Sequence, residues 1–196
     1  MIGFYTPSPF GFVAFTLCFL GWALFELGVN LRQGRSGSTN HDRFSRYLII
    51  AGMAVGFMAA LLAANFFHLA DSVTARPFVF YLGLLLMIAG LVLRTYAIRQ
   101  LGQFFVPEVV VQPGQRIYQD GLYRYLRHPS YTGTLITVFG YGLALTNWIS
   151  LLIMLTVFFT VYTIRIVVEE AALLEAFGDE YRRYMKRTKR LIPFVL

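Results

Sequence analysis

Between Tyr131 and Val167 the chain reads YTGTLITVFGYGLALTNWISLLIMLTVFFTVYTIRIV, an apolar stretch whose only charged residue is Arg165. A bilayer core about 30 Å thick asks for about 20 apolar residues in a helix. The stretch is therefore too long for one span and long enough for two of modest length. Thr146-Asn147-Trp148 supplies a polar turn near its middle, and a tryptophan suits the membrane–water interface. The reading is a tight helical hairpin with spans at about 130–146 and 148–167.

Working back toward the N-terminus, three more apolar runs lie at about 10–31, 47–69 and 77–96, the first interrupted only by Glu26. No positive residue precedes the first run and no small-residue cleavage site follows it, so it is expected to be a retained span. The expectation is one all-α integral membrane domain over 1–196, with five transmembrane helices, a polar connector at 97–129 and a polar tail at 168–196.

Composition agrees. Hydrophobic residues make up 57% of the 196 and charged residues only 14%, where a soluble domain carries about 25%. The net charge of +7 invites a nucleic-acid reading, but that needs basic residues gathered on one soluble face. Here the cations fall between apolar runs and report orientation instead. Four lie in 32–46, five in 94–128 and seven from Arg165 onward, so with five alternating helices 16 of the 17 share a face, Arg76 being the other. Positive residues mark the cytoplasmic side. The N-terminus is thus expected outside and the C-terminus inside, at the cell inner membrane.

The connector carries local signals. Val109-Val110-Val111 and Arg116-Ile117-Tyr118 flank Gln112-Pro113-Gly114-Gln115, which predicts two short strands around a type II turn. In the tail, Leu173, Leu174, Phe177, Tyr181 and Tyr184 recur at helical steps, with a break expected at Gly178-Asp179.

Several function classes are excluded. There is no GxGxxG after a strand and no Walker-type loop, which excludes a Rossmann nucleotide domain. The histidines at 41, 68 and 128 lack metal-ligand spacing, and Cys18, the one cysteine, reads as a small buried hydrophobe.

Four features exceed what anchoring needs. Gly121-Leu-Tyr123-Arg124-Tyr125-Leu-Arg127-His128-Pro129-Ser-Tyr131-Thr-Gly133 packs cations, aromatics and a helix-starting proline closely together, with Arg127 and His128 at a helix N-terminus on the membrane surface. Arg165 and Glu169, four apart and able to pair, are joined by Glu170 at the inner end of the last span. The tail segment Phe177-Gly178-Asp179-Glu180-Tyr181-Arg182-Arg183-Tyr184-Met185 suits either a lid or a lipid-binding surface helix. Glu26, Asn65 and His68 are lone polar groups within spans. Glu26 is expected to snorkel or pair with a loop cation, and neither it nor His68 is placed in the site.

At these residues the sequence resembles the isoprenylcysteine carboxyl methyltransferase family, including its small five-helix prokaryotic members. The likeness rests on Gly121-x-Tyr123-x-x-x-Arg127-His128-Pro129-x-Tyr131-x-Gly133, Glu169-Glu170-x-x-Leu173, Phe177-Gly178-x-x-Tyr181-x-x-Tyr184 and Arg190-x-x-Pro193, within roughly 94–196. It implies an S-adenosylmethionine cofactor held in a cytoplasmic pocket between the connector and the tail. Ile117, Tyr118, Gly121, Tyr123, Arg127, His128, Pro129 and Tyr131 would line that pocket, with Glu170, Tyr181 and Tyr184 closing it. Arg165 and Glu169 match the position of the reaction centre, and a lipophilic acceptor such as a prenylated cysteine would arrive sideways from the bilayer. The wider superfamily includes phospholipid N-methyltransferases and NADPH-dependent membrane reductases, so an amine acceptor, a reductase and a non-catalytic scaffold stay open beside the carboxylate reading.

Overall fold

The computed structural model describes residues 5–31, 40–67, 76–105 and 114–192, without the side chains of 40–46 and 103. The described elements are helical: α1 (Pro9–Leu31), α2 (Asn40–Phe66), α3 (Arg76–Leu101), α4 (Pro129–Ala144), α5 (Trp148–Phe177) and α6 (Asp179–Arg187). Short 3-10 turns at Gly102–Phe104 and Gly121–Arg124 punctuate the connector.

Helix α1, the Tyr47–Phe66 part of α2, α3 and α5 are each long and apolar enough to cross a bilayer. Their outward surfaces carry exposed residues such as Leu17, Leu24, Val55, Leu85 and Leu152, which only lipid would solvate well. Helix α4, with 16 residues, is about 24 Å long, short of the hydrocarbon core.

The hairpin turn falls where the Thr-Asn-Trp triplet predicts it. Thr146 adopts φ +52°, and the Asn147 side chain accepts a hydrogen bond from the Ser150 N–H at 3.0 Å, capping α5. The same asparagine donates to the Phe67 carbonyl at 2.9 Å, and the Ser150 hydroxyl to the Ala60 carbonyl at 2.7 Å. Polar side chains thus tie the start of α5 to α2.

Helices α3 and α4 meet through glycines spaced seven apart. A Cβ on Gly83 would lie 2.5 Å from the Gly140 carbonyl oxygen, and one on Gly90 2.5 Å from that of Gly133. Small residues here let the two backbones touch, the usual way helices associate where lipid removes the hydrophobic drive. An aromatic core joins α2, α4 and α5, with the Phe57 ring edge-on to Tyr141 at 4.7 Å and to Phe158 at 5.4 Å.

Two expectations change. The run expected at 77–96 continues as helix to Leu101, because Arg94 is paired inside the protein and does not end the helix. A third expectation stands: the tail continues the last span as helix to Phe177, where Gly178 at φ +52° breaks it before α6, as the Gly-Asp pair predicts. Residues 116–118 form no strand among the described residues, and 109–111, their expected partners, lie outside them. Gly114 does take the positive φ, +76°, that a type II turn requires. Among the described residues a parallel bridge joins Leu126 and Lys189, which brings the tail back onto the connector.

Candidate functional site

Proline at the first position of α4 fixes where that helix begins, so His128, Ser130 and Tyr131 project from its N-terminal end. The 3-10 turn before it depends on Gly121, whose φ of +57° suits glycine, and on the Gln100 side chain, which accepts from the Leu122 N–H at 3.2 Å. Across from this turn, α5 presents Arg165 and Glu169 on one helical face. Helix α6 closes the remaining side with Tyr181 and Tyr184, both buried.

These elements surround a cavity of about 170 Å³. Of the residues named from sequence, Ile117, Tyr118, Tyr123, Arg127, His128, Tyr131, Arg165, Glu169, Tyr181 and Tyr184 line it. Gly121, Pro129 and Glu170 do not. The first two shape the backbone, and Glu170 works behind the wall.

Glu170 is the knot of the tail. Its Oε1 accepts from Arg127 Nε at 2.7 Å, and its Oε2 from Arg190 Nε at 3.0 Å and Nη2 at 2.8 Å. Arg127 Nη1 also donates to the carbonyls of Met185 at 3.2 Å and Thr188 at 2.5 Å. The Tyr184 hydroxyl donates to the Tyr123 carbonyl at 2.7 Å, and Thr132 Oγ1 to the Leu191 carbonyl at 2.7 Å. Connector, α5 and tail are thereby held as one unit. Burial pushes the phenols of Tyr123, Tyr181 and Tyr184 above the ordinary tyrosine range, so they remain protonated donors at neutral pH.

Glu169 faces the cavity with its side chain 30% exposed. The Tyr131 hydroxyl donates to its Oε2 at 2.7 Å, and His128 Nδ1 lies 3.8 Å from its Oε1. His128 Nε2 lies 3.4 Å from Glu170 Oε1, so the imidazole stands between the two carboxylates. Its ring stacks on Tyr131 at 5.5 Å with 7° between the planes. Arg165, only 3% exposed, sits beside Tyr131, whose hydroxyl lies in the field of both Arg165 and Glu169. Cationic, anionic and phenolic groups meet where the cavity turns from the aromatic connector side to the apolar helices.

Glu26 corrects the sequence reading. It is buried, lines the cavity and pairs with Arg94 of α3 rather than with a loop cation. The contacts are Arg94 Nη2 to Glu26 Oε2 at 2.9 Å and Nε to Oε1 at 2.7 Å. Arg94 Nη1 donates on to Ser130 Oγ at 3.0 Å. Sequence reasoning counted Arg94 only as an orientation charge. A signal was present in two opposite charges placed inside apolar runs, but their 68-residue separation gives no periodicity to join them. Asn65 donates to the Leu61 carbonyl of its own helix, and His68 lies outside the described residues.

An α-helical integral membrane protein with a polar, aromatic-walled cavity at one end of its long helices is the class these features define. The sequence profile of the phospholipid methyltransferase family matches residues 78–180, more than half the chain, and the chain belongs to that family. It is 37% identical over 108 residues to the protein-S-isoprenylcysteine O-methyltransferase of Schizosaccharomyces pombe, covering 54% of this chain and 46% of that one. It is 33% identical over 120 residues to a probable protein-S-isoprenylcysteine O-methyltransferase of Oryza sativa subsp. indica, covering 60% of this chain and 63% of that one. A solved structure of the eukaryotic intramembrane Ras methyltransferase, an isoprenylcysteine carboxyl methyltransferase, is similar with a TM-score of 0.57 and 25% identity. That likeness covers 80% of this chain and 55% of the other. The chain therefore spans between 46% and 63% of the length of these proteins.

Proposed function

We propose that the protein transfers a methyl group from S-adenosylmethionine to a lipophilic acceptor, a carboxylate such as that of a prenylated cysteine, at the cytoplasmic membrane face. The observation that carries this is the meeting of Arg165, Glu169 and Tyr131 in a cavity walled on one side by tyrosines and on the other by apolar helix residues. Family membership and the named relatives support it. In the same reading α4 is a short fifth span, the N-terminus lies outside and the tail is cytoplasmic.

The residues present fit such a cofactor. Tyr118 and Tyr123, ring to ring at 5.5 Å, and Tyr181 and Tyr184, at 5.8 Å, offer flat faces to a purine. Glu169 and the tyrosine faces suit a sulfonium cation, and Arg116 on the wall suits a carboxylate. When bound, S-adenosylmethionine supplies an electrophilic methyl group.

The chain's own residues would do the rest. A carboxylate acceptor is already ionised at neutral pH and needs no general base. Arg165 would hold it by charge-assisted hydrogen bonds in line with the methyl group. Glu169, itself held by Tyr131, would balance the Arg165 charge and fix its direction. Transfer consumes one positive and one negative charge, so a water-poor cavity favours it over the charged ground state. A second reading, an amine acceptor as in the phospholipid enzymes that give the family its name, is favoured by one feature. Glu169 is the partly exposed carboxylate that a proton-accepting role requires.

The test is turnover of radiolabelled S-adenosylmethionine in proteoliposomes, with a farnesylated cysteine analogue or phosphatidylethanolamine as acceptor. Label in the cysteine analogue supports the carboxylate reading, and label in the phospholipid supports the amine reading. Label in neither, with the protein shown folded, opposes both.

A further inference from the structure

A charged pair within the apolar helices calls for a cause. Replacing such a pair by well-packed apolar residues is often neutral or stabilising, so stability alone does not explain it. The other inward residues of α1, among them Phe15, Trp22 and Val29, pack without charge. Glu26 lies outside residues 78–180, the part matched by the family profile, yet it reaches the cavity wall.

Its contacts lead to one place. Both Glu26 oxygens face Arg94, at 2.7 and 2.9 Å. The far side of Arg94 grips the first turn of α4, where Nη1 reaches Ser130 Oγ at 3.0 Å and the Ser130 carbonyl at 3.3 Å. Ser130 is followed by Tyr131, whose hydroxyl holds Glu169 at 2.7 Å. Glu26 thus connects α1 through Arg94 and Ser130 to the group that orients the cavity carboxylate. Its neighbour one turn on, Asn30, lines the same cavity.

We infer that Glu26 is a positioning residue. By fixing the Arg94 guanidinium it sets the first turn of α4, and so the direction of Tyr131 and Glu169. Without it, Arg94 keeps its charge but loses the carboxylate that aims it at Ser130. The kinetic part of this inference rests on the proposed methyl transfer, whereas the conformational part does not.

The experiment therefore reads both in Glu26→Gln, with Ser130→Ala as the variant that keeps the ion pair. Hydrogen exchange of peptides covering 128–134 should quicken by about tenfold in E26Q while peptides over 150–162 hold their rate. The kcat should fall by about tenfold, with S-adenosylhomocysteine affinity within about twofold of the parent. S130A should show the same pattern more weakly. The exchanged pair E26R/R94E should recover melting temperature without recovering kcat or slow exchange, because a carboxylate at 94 cannot donate to the Ser130 carbonyl. Unchanged exchange at 128–134 in S130A and in folded E26Q would overturn the inference, whatever the activity. So would full recovery of all three properties in the exchanged pair. A parent protein that fails to transfer methyl groups would instead count against the proposed function, and the exchange data would still decide the role of Glu26.

Discussion

The α3–α4 contact and the tail clamp both hold elements close, by opposite means. Between α3 and α4 the absence of side chains at Gly83, Gly90, Gly133 and Gly140 lets backbone meet backbone, and none of these four glycines lines the cavity. Around Glu170 the closeness comes from directional bonds, with two guanidinium groups on one carboxylate and a hydroxyl on each of two carbonyls. The first contact has no tolerance for added volume and no chemistry to lose. The second can loosen by degrees and carries the cavity wall with it. Substitutions in the seam should therefore act on folding, and substitutions in the clamp should act on binding at nearly constant fold.

The largest effect is expected in the seam. Gly90→Leu would drive a side chain into the Gly133 carbonyl and Thr137, and no monodisperse folded protein should be recovered by size exclusion in detergent. A folded G90L would show that the helices can separate and would weaken the contrast. Next comes the reaction centre. Arg165→Ala should lower turnover by about a hundredfold or more while leaving cofactor affinity mostly intact, as measured by initial rates and calorimetry. Near-normal turnover would remove Arg165 from its assigned role.

In the clamp, Glu170→Gln should weaken S-adenosylhomocysteine binding by about tenfold and expose the tail after Phe177 to protease, with little change in helical circular dichroism. His128→Ala should weaken the same binding by a smaller factor, roughly threefold to tenfold, since its ring backs Tyr131 by stacking. The smallest effect belongs to Asn147→Ala. It removes the α5 cap and should cost about 1 kcal/mol, seen as a drop of a few degrees in melting temperature with no change in binding.

Much of the fold was legible because its signals are local. Asn147 and Trp148 mark the hairpin, Pro129 starts α4 and Gly178 stops α5, each within one turn of where it acts. The cavity residues of the connector and α6 were legible through resemblance, since Tyr123 and Tyr184 come together only when the tail folds back. What stayed hidden depends on distance in the chain. Glu26 and Arg94 look alike as isolated charges until α1 and α3 are side by side. The seven-residue glycine spacing on α3 and α4 becomes a seam only when the helices are paired. Arg116-Ile117-Tyr118 has the composition of a strand, but its edge finds no partner among the described residues, and Ile117 and Tyr118 face the cavity instead.

The central claim is that this cavity holds S-adenosylmethionine between the connector and α6. Titration calorimetry of S-adenosylhomocysteine into the purified protein in detergent tests it most directly. The account predicts one site of micromolar affinity that weakens in Glu170→Gln and persists in Arg165→Ala. No heat of binding to protein shown folded by thermal melting, or binding indifferent to Glu170→Gln, would contradict it.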